Sequence, residues 1–305
     1  MAYTAADVKN LRETTGAGMM DCKKALDETQ DFQKAVDYLR AKGLAAAAKK
    51  QSRIAAEGLI AGVVKGKLGA LVELNCETDF VAKNDSFQAF VQTAANVAVD
   101  GKLNSVATVL AAKGPKGLTL QDEVSELTIK IGEKIDLRRV ELMTLEGNGL
   151  IGSYVHSGKI GVLCRIEADK DVSNNEAVKE LAKDLCMQIA AANPSFLNAS
   201  EIDETFKARE AEVYAAQLKE QGKPEAMIPN IVKGKLNKLA SEVCLYEQAF
   251  VKDPDTTIGK LLETVSKTAG ATLKVTKFTK FNLGEGIEKK QENFAEEIAK
   301  LSGKN

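Results

Sequence analysis

Residues 59–71 read LIAGVVKGKLGAL, and residues 150–163 read LIGSYVHSGKIGVL. In each stretch two apolar runs flank a glycine and a lysine, a pattern typical of a β-hairpin. The two stretches align throughout, with Ser157 as a one-residue insertion in the second. We interpret this repeat as an internal duplication, which predicts two related α/β subdomains with antiparallel sheets.

Further helices and strands are expected to complete each copy. In the first copy, apolar spacing predicts helices over residues 85–99 and 120–131, followed by a strand over residues 135–145. In the second copy we expect a helix that Ser173 caps, and much later a strand over residues 272–281. The two copies therefore have similar predicted contents.

Helical segments precede, interrupt and follow the two copies. The N-terminal region predicts three short helices, with Thr4 capping the first and Gly43 ending the third. Two charged helices over residues 203–221 and 229–240 predict a helical hairpin inserted into the second copy. A final helix is expected over residues 288–301.

These elements together predict an α+β protein. Its parts are an N-terminal three-helix module, a duplicated α/β core with antiparallel sheets, an inserted helical hairpin and a C-terminal helix. The chain has 305 residues, enough for roughly two domains of ordinary size. The expected boundaries are 1–54 for the N-terminal module and connector, 55–147 for the first core subdomain, 148–197 with 242–283 for the second, 198–241 for the hairpin, and 284–305 for the C-terminal module.

The composition is that of an ordinary globular chain, with 44% hydrophobic and 28% charged residues. No apolar run approaches the roughly 18 residues of a membrane span, so we expect no membrane contact. The N-terminal residues MAYTAAD lack the basic and apolar regions of a secretory signal, which predicts a cytoplasmic protein. The five cysteines are widely spaced without a C-x-x-C pair, so we expect reduced thiols and no metal site.

Charge and residue types argue against two classes of function. Lys and Arg total 42 and Asp and Glu total 43, so the net charge of −1 provides no general attraction for nucleic acid. The basic clusters, Lys49-Lys50 with Arg53 and Arg138-Arg139, are too small to favour RNA binding. His156 is the only histidine and no triad or zinc motif surrounds it, while Cys76 is the only candidate nucleophile. A binding protein is therefore favoured over an enzyme.

One glycine motif matches the pattern of a nucleotide-binding loop. Gly147-x-Gly149-x-x-Gly152 matches the dinucleotide fingerprint and follows a predicted strand. The fingerprint requires a helix N-terminus that faces the pyrophosphate, whereas the next residues, Ser153 to Val155, begin another strand. We therefore interpret the glycines as residues of tight turns and expect no cofactor.

The segment CETDFVAKN, residues 76–84, connects a hairpin strand to a predicted helix. On physical grounds alone, Thr78 or Asp79 caps a short helical turn and Phe80 packs inward. Alternatively, Phe80 is an exposed aromatic wedge, because the matching residues 167–171 of the second copy contain no aromatic side chain. Both interpretations remain open from the residues alone.

Several stretches resemble one family. Residues 11–26, LRETTGAGMMDCKKAL, and residues 78–83, TDFVAK, closely resemble the two signatures of the bacterial elongation factor Ts family. The resemblance continues through KIGE at residues 130–133, residues 154–162, and GEGIEK at residues 284–289. The order and spacing agree over nearly the whole chain, and the inserted hairpin matches least well.

This resemblance implies a guanine-nucleotide exchange factor for elongation factor Tu, the GTPase that brings aminoacyl-tRNA to the ribosome. It implies that the N-terminal module is ubiquitin-associated-like. Asp79 and Phe80 would enter the nucleotide domain of the GTPase between two helices and disturb the magnesium and phosphate contacts that hold GDP. The residues expected at the interface are Asp79, Phe80, Thr78, Val81, Arg12, Met19, Met20, Lys23, Ile131, Gly132 and His156.

Some of these assignments keep an alternative. Met19 and Met20 are equally consistent with core packing, although adjacent helical positions cannot both face one core, so one should be exposed. His156 is equally consistent with an ordinary turn residue. The inserted hairpin is expected to leave Phe206, Val213 and Leu218 poorly covered, which favours a partner contact, a homodimer or a two-plus-two complex. The alternative function is an RNA-binding or other protein-interaction factor without exchange activity, although no direct nucleic-acid contact is expected.

Overall fold

The computed structural model describes residues 3–50 and 52–288, which fall into two compact units. Helices and antiparallel strand pairs both contribute, which confirms the predicted α+β class. Within the described chain, the first unit contains residues 3–61, 72–140 and 282–288, and the second contains Gly62–Leu71 and Glu141–Phe281.

Three helices open the chain: α1 (Ala5–Thr15), α2 (Met19–Thr29) and α3 (Phe32–Lys50). The predicted capping box begins α1, because the Thr4 hydroxyl accepts from the Asp7 amide at 3.3 Å and the Asp7 carboxylate accepts from the Thr4 amide at 2.7 Å. Leu11, Leu26 and Leu39, one from each helix, are buried in a shared core. The predicted three-helix bundle is confirmed.

The third helix does not end at Gly43. It continues to Lys50, and Gly43 is buried within it. A Cβ atom on Gly43 would lie 2.0 Å from Cδ1 of Ile129, so this glycine makes room for a neighbouring side chain. The prediction was wrong because glycine is favoured both at helix ends and where two elements pack closely, so the residue type alone did not identify its role.

The first copy contains β1 (Glu57–Lys65), β2 (Leu68–Cys76), α4 (Asp79–Ala82), α5 (Asp85–Asp100), α6 (Val106–Ala111), α7 (Leu120–Ile131) and β3 (Asp136–Thr144). Its strands form a sheet in the order β1-β2-β3. Asn84 caps α5 by accepting from the Ser86 amide at 2.9 Å, and α5 buries Phe87 and Phe90. The predicted helices and strands are confirmed, but α6 was missed because six residues carry little periodic signal.

The second copy contains β4 (Asn148–His156), β5 (Ile160–Ala168), α8 (Glu176–Ala192), α9 (Glu204–Glu220), α10 (Ile228–Val243), β6 (Ala249–Phe250), β7 (Asp253–Thr257), α11 (Ile258–Ala269) and β8 (Leu273–Asn282). Strands β4 and β5 pair antiparallel, from Asn148 opposite Ala168 to His156 opposite Ile160. The sheet order is β4-β5-β8, and α8 and α11 share its buried core. The short ribbon of β6 and β7 was not predicted.

Two glycines support the interpretation of an internal duplication. Gly58 in β1 and Gly149 in β4 precede the two aligned stretches and have φ angles of 139° and 140°. A Cβ atom would lie 2.0 Å from the carbonyl oxygen of Leu74 in the first case and of Ile166 in the second. The same backbone conformation, accessible mainly to glycine, thus recurs at equivalent positions.

The explanation of the nucleotide-like glycines as tight-turn residues holds for Gly147, which lies at a bend between β3 and β4, but was wrong for the other two. Gly149 and Gly152 both lie inside β4, which leads into β5 and not into a helix. A Cβ atom on Gly152 would lie 2.7 Å from the carbonyl oxygen of Ala182 in α8. This glycine therefore allows a helix to approach the sheet closely.

The start of α8 also differs from the prediction. Asn175, and not Ser173, is the N-cap, and its side chain accepts from the Val178 amide at 3.3 Å. The Ser173 amide instead donates to the Asp171 carboxylate at 2.9 Å. Serine and asparagine are both good caps, so the residue type alone did not distinguish the two positions.

The inserted hairpin is present as α9 and α10, and Asp203 caps α9. Leu218 is buried, contrary to the expectation that it is poorly covered, while Phe206 packs edge-on against Phe196. The expected helix over residues 288–301 lies outside the described residues, apart from Glu288. Among the described helices, none is both long and apolar enough to cross a membrane.

Candidate protein-binding site

Phe80 is the most exposed large apolar side chain among the described residues, with 80% of its surface accessible. It lies in α4, whose next two residues, Val81 and Ala82, are buried. The interpretation that Phe80 packs inward is therefore wrong, and the ring is exposed, as the wedge interpretation requires. Burying such a ring is favourable by about 1.5–3 kcal/mol, and this free energy becomes available when a binding partner covers it.

The turn that carries Phe80 begins with a cap. Thr78 has extended backbone angles, and its hydroxyl accepts from the Val81 amide at 3.5 Å. Asn84 caps α5 six residues later. Two helix starts so close together leave the connecting backbone little freedom.

A glutamate from elsewhere in the first unit holds the start of this turn. The Glu133 carboxylate accepts from the amides of Glu77 at 3.1 Å and Thr78 at 2.9 Å, and from the Thr78 hydroxyl at 2.7 Å. Glu133 directly follows Gly132, the left-handed residue that ends α7. The sequence reasoning gave Glu133 no role, although it lies in the KIGE stretch beside Ile131 and Gly132.

Charged groups surround the exposed ring. The Asp79 carboxylate is half-exposed and accepts from Lys83 Nζ at 2.8 Å. The same ammonium lies 5.7 Å from the centroid of the Phe80 ring. The turn therefore presents an acid, an aromatic ring and a base on its surface.

Of the other interface residues predicted in the first unit, Val81 is buried and the rest are at least partly accessible. Met19 and Met20 at the start of α2 are 58% and 75% exposed, so both, and not one, are available to a partner. Arg12, Lys23 and Gly132 are exposed and Ile131 is half-buried. Glu133 brings the end of α7 directly to Thr78, while Met19 and Met20 lie on a different helix of the same unit.

His156 belongs to the second unit and is exposed at the end of β4. Its Nδ1 atom lies 2.9 Å from the hydroxyl of Tyr154. When Tyr154 donates this bond, the neutral ring carries its proton on Nε2, which then faces outward as a donor. An exposed donor is consistent with either a turn residue or a partner contact.

Cys76 is not a reactive thiol. It is fully buried and donates to the carbonyl oxygen of Thr78 at 3.1 Å. Burial raises its pKa to about 12, and the carboxylates of Glu133 and Glu57 add to the effect. The thiol stays protonated at neutral pH, which removes the one candidate nucleophile.

Arg138 and Arg139 both form ion pairs with carboxylates. Glu73 is fully buried, and it accepts from Arg138 Nη1 at 3.1 Å and from Arg139 Nε at 2.6 Å. Arg139 Nη1 also lies 3.2 Å from the carboxylate of Glu285. A basic patch whose charges are already neutralised is a poor site for RNA phosphates.

Comparisons with known proteins identify the family of the chain. Residues 77–285 match the model of a family described as Elongation factor TS. The chain is 50% identical over 305 residues to an elongation factor Ts of Clostridium perfringens (strain SM101 / Type A), with 99% of each chain covered. It is 47% identical to one from Clostridioides difficile (strain 630), covering 97% of this chain and 98% of that one, and 45% identical to one from Magnetococcus marinus, covering 99% of each. The chain that presents Phe80 on a capped turn thus belongs to the elongation factor Ts family, whose members are translation elongation factors.

Proposed function

We propose that this chain is a guanine-nucleotide exchange factor for elongation factor Tu. Family membership supports the role in elongation, and the exposed Phe80 ring is the observation that carries the mechanism. The factor performs no chemical step of its own. It lowers the barrier to GDP release and leaves the equilibrium between GDP and GTP unchanged.

Asp79 and Phe80 form the wedge of this proposal. The ring enters an apolar gap between two helices of the GTPase, while the neighbouring carboxylate disturbs the contacts of the magnesium ion and the phosphates. The α4 turn suits this task, because Thr78 and Val81 hold its backbone while the ring is directed away from the chain. Burying one ring provides about 1.5–3 kcal/mol, which is roughly one to two powers of ten in affinity.

One wedge is too weak to release a tightly bound nucleotide, so several contacts must act together. Each must favour the nucleotide-free GTPase, and by linkage GDP and GTP then weaken the binding of the factor. Incoming GTP therefore expels the factor and completes the cycle. The residues proposed to share the interface are Thr78, Arg12, Met19, Met20, Lys23, Ile131, Gly132 and His156, while Val81, which is buried, supports the turn from inside the protein.

The exchange function is tested by displacement of a fluorescent GDP analogue from elongation factor Tu in a stopped-flow instrument. We expect the release rate to rise with the concentration of this protein and then to saturate. A catalytic amount should shorten the time to equilibrium without changing the final bound fraction. An unchanged release rate at saturating concentration would contradict the function.

Asp79→Asn tests the acidic part of the wedge. We expect GDP release at saturating factor to slow about fivefold, because a neutral amide interacts more weakly with charged groups at the magnesium site. Asp85→Asn is the matched control, since Asp85 is also exposed and also lies in the first turn of a helix, α5. The control should stay within twofold of wild type, and equal slowing of both variants would remove Asp79 from the mechanism.

A homodimer, or a two-plus-two complex, is proposed to form through the α9–α10 hairpin. Val213 on α9 and Met227 before α10 are exposed apolar residues at this hairpin. Light scattering with and without elongation factor Tu measures the stoichiometry.

The alternative function is RNA binding without exchange. It is disfavoured because Arg138 and Arg139 are already paired with carboxylates, and a salt-dependent RNA-binding assay tests it.

A further inference from the structure

Two glutamate side chains join the segment before α4 to the segment after α7, and each segment contributes one of them. Glu133 accepts from the amides of Glu77 and Thr78 and from the Thr78 hydroxyl. In return, Glu77 Oε1 accepts from the Lys134 amide at 2.6 Å and from Arg53 Nη1 at 3.3 Å. The start of the wedge turn is thereby joined to a segment 55 residues away in sequence.

The wedge turn cannot fix its own direction. The helix α4 has four residues, and a single helical turn has no cooperative stability. The Phe80 ring is exposed, so contacts with the rest of the chain do little to hold it. The backbone at Glu77 and Thr78, together with the buried Val81 and Ala82, therefore determines where the ring points.

Glu133 acts on this backbone in two ways. Its Oε2 atom holds two consecutive amides, and bonds from amides to a carboxylate are stronger than bonds between neutral groups. Its Oε1 atom accepts a hydrogen bond from the Thr78 hydroxyl, so that the lone pairs of the hydroxyl oxygen are available to accept from the Val81 amide. The same carboxylate thus positions the turn and orients its cap.

We propose that Glu133 is a positioning residue for nucleotide exchange, which fixes the direction of Phe80 before the GTPase arrives. The inference rests on the proposed wedge function. Because Glu133 directly follows Ile131 and Gly132, it also sets the spacing between two segments of the proposed interface. A wedge ordered in advance avoids the loss of conformational freedom that binding would otherwise require.

The test is a double-mutant cycle on GDP release with Glu133→Gln and Phe80→Ala. A glutamine can keep the amide bonds through its oxygen, but its NH₂ group cannot accept from the Thr78 hydroxyl, so the bond that orients the capping hydroxyl is lost. We expect Glu133→Gln to slow release about fivefold in the otherwise wild-type protein, because small misplacements of a reacting geometry have large effects. In the Phe80→Ala background, the same change should alter the rate less than about twofold.

The cycle separates positioning from a merely structural role. If Glu133 only held the first unit together, its replacement would slow release equally in both backgrounds, and the positioning role would be overturned. If Phe80→Ala alone left the rate unchanged, the proposed wedge itself would fail, and the inference with it. Glu126→Gln is the control for charge, because Glu126 is exposed on α7 and should leave the rate unchanged.

A second pair of variants covers the case in which Glu133→Gln does not fold. Thr78→Val removes the hydroxyl that Glu133 binds, and Thr78→Ser keeps it. We expect slower release for the valine variant, rescue by the serine variant, and faster hydrogen exchange at the amides of residues 78–81 in the valine variant alone. Equal release by both variants would overturn the proposal.

Discussion

Replacing Phe80 by alanine should slow GDP release from elongation factor Tu by about 10- to 100-fold at subsaturating factor. The estimate follows from the loss of about 1.5–3 kcal/mol of ring burial in the complex. The free protein should be unaffected, because the ring is 80% exposed and contributes little to its own fold. Stopped-flow release of fluorescent GDP measures the first effect, and thermal unfolding measures the second.

Phe32→Ala is the matched control for this variant. Phe32 begins α3 and is 40% exposed, so the same side-chain deletion is made at another accessible phenylalanine of the first unit. We expect its release rate to stay within twofold of wild type. Similar rates for Phe80→Ala and the wild-type protein would show that the ring is not the wedge.

Local patterns predicted most of the fold. The repeated glycine and lysine spacing of residues 59–71 and 150–163 identified two hairpins, which the structure contains as β1 with β2 and β4 with β5. Caps such as Thr4 and Thr78 marked helix starts correctly, because a capping side chain bonds to amides only two or three residues away. Interactions of this range are visible in a sequence.

Interactions between distant residues could not be predicted in the same way. Gly43 was expected to end α3, but it faces Ile129, 86 positions further along the chain. Glu133 was given no role because its partners, Glu77 and Thr78, belong to a different element. Neither contact leaves a periodic or capping signal in the sequence.

Phe80 shows how the two kinds of reasoning differ. Burial statistics favour a phenylalanine that packs inward, and that expectation failed here. The comparison of the two copies pointed to exposure, because the second copy has no aromatic residue at the corresponding strand-to-helix junction. A residue that one copy of a duplicated architecture lacks is free to serve a function.

Replacing Glu73 by glutamine should lower the free energy of unfolding by about 3 kcal/mol, the largest stability effect that we expect for a single change. Glu73 lies on β2, the central strand of its sheet, and is fully buried. It accepts from Arg138, from Arg139 and from the Gly284 amide at 2.9 Å. The neutral amide would remove the buried negative charge that faces two half-buried guanidinium groups, and urea unfolding followed by circular dichroism measures the loss of stability.

Glu285→Gln is the control, because it removes a second carboxylate that binds the same arginine. Glu285 is 52% exposed and lies 3.2 Å from Arg139, so solvent screens the pair and its loss should change stability by less than about 1 kcal/mol. The contrast tests whether burial, and not the number of ion pairs, determines the stability of this cluster. If both variants unfolded at the same urea concentration, Glu73 would be no more important than a surface carboxylate. If only Glu73→Gln is destabilised, the buried carboxylate is what anchors the turn at Gly284 to the sheet.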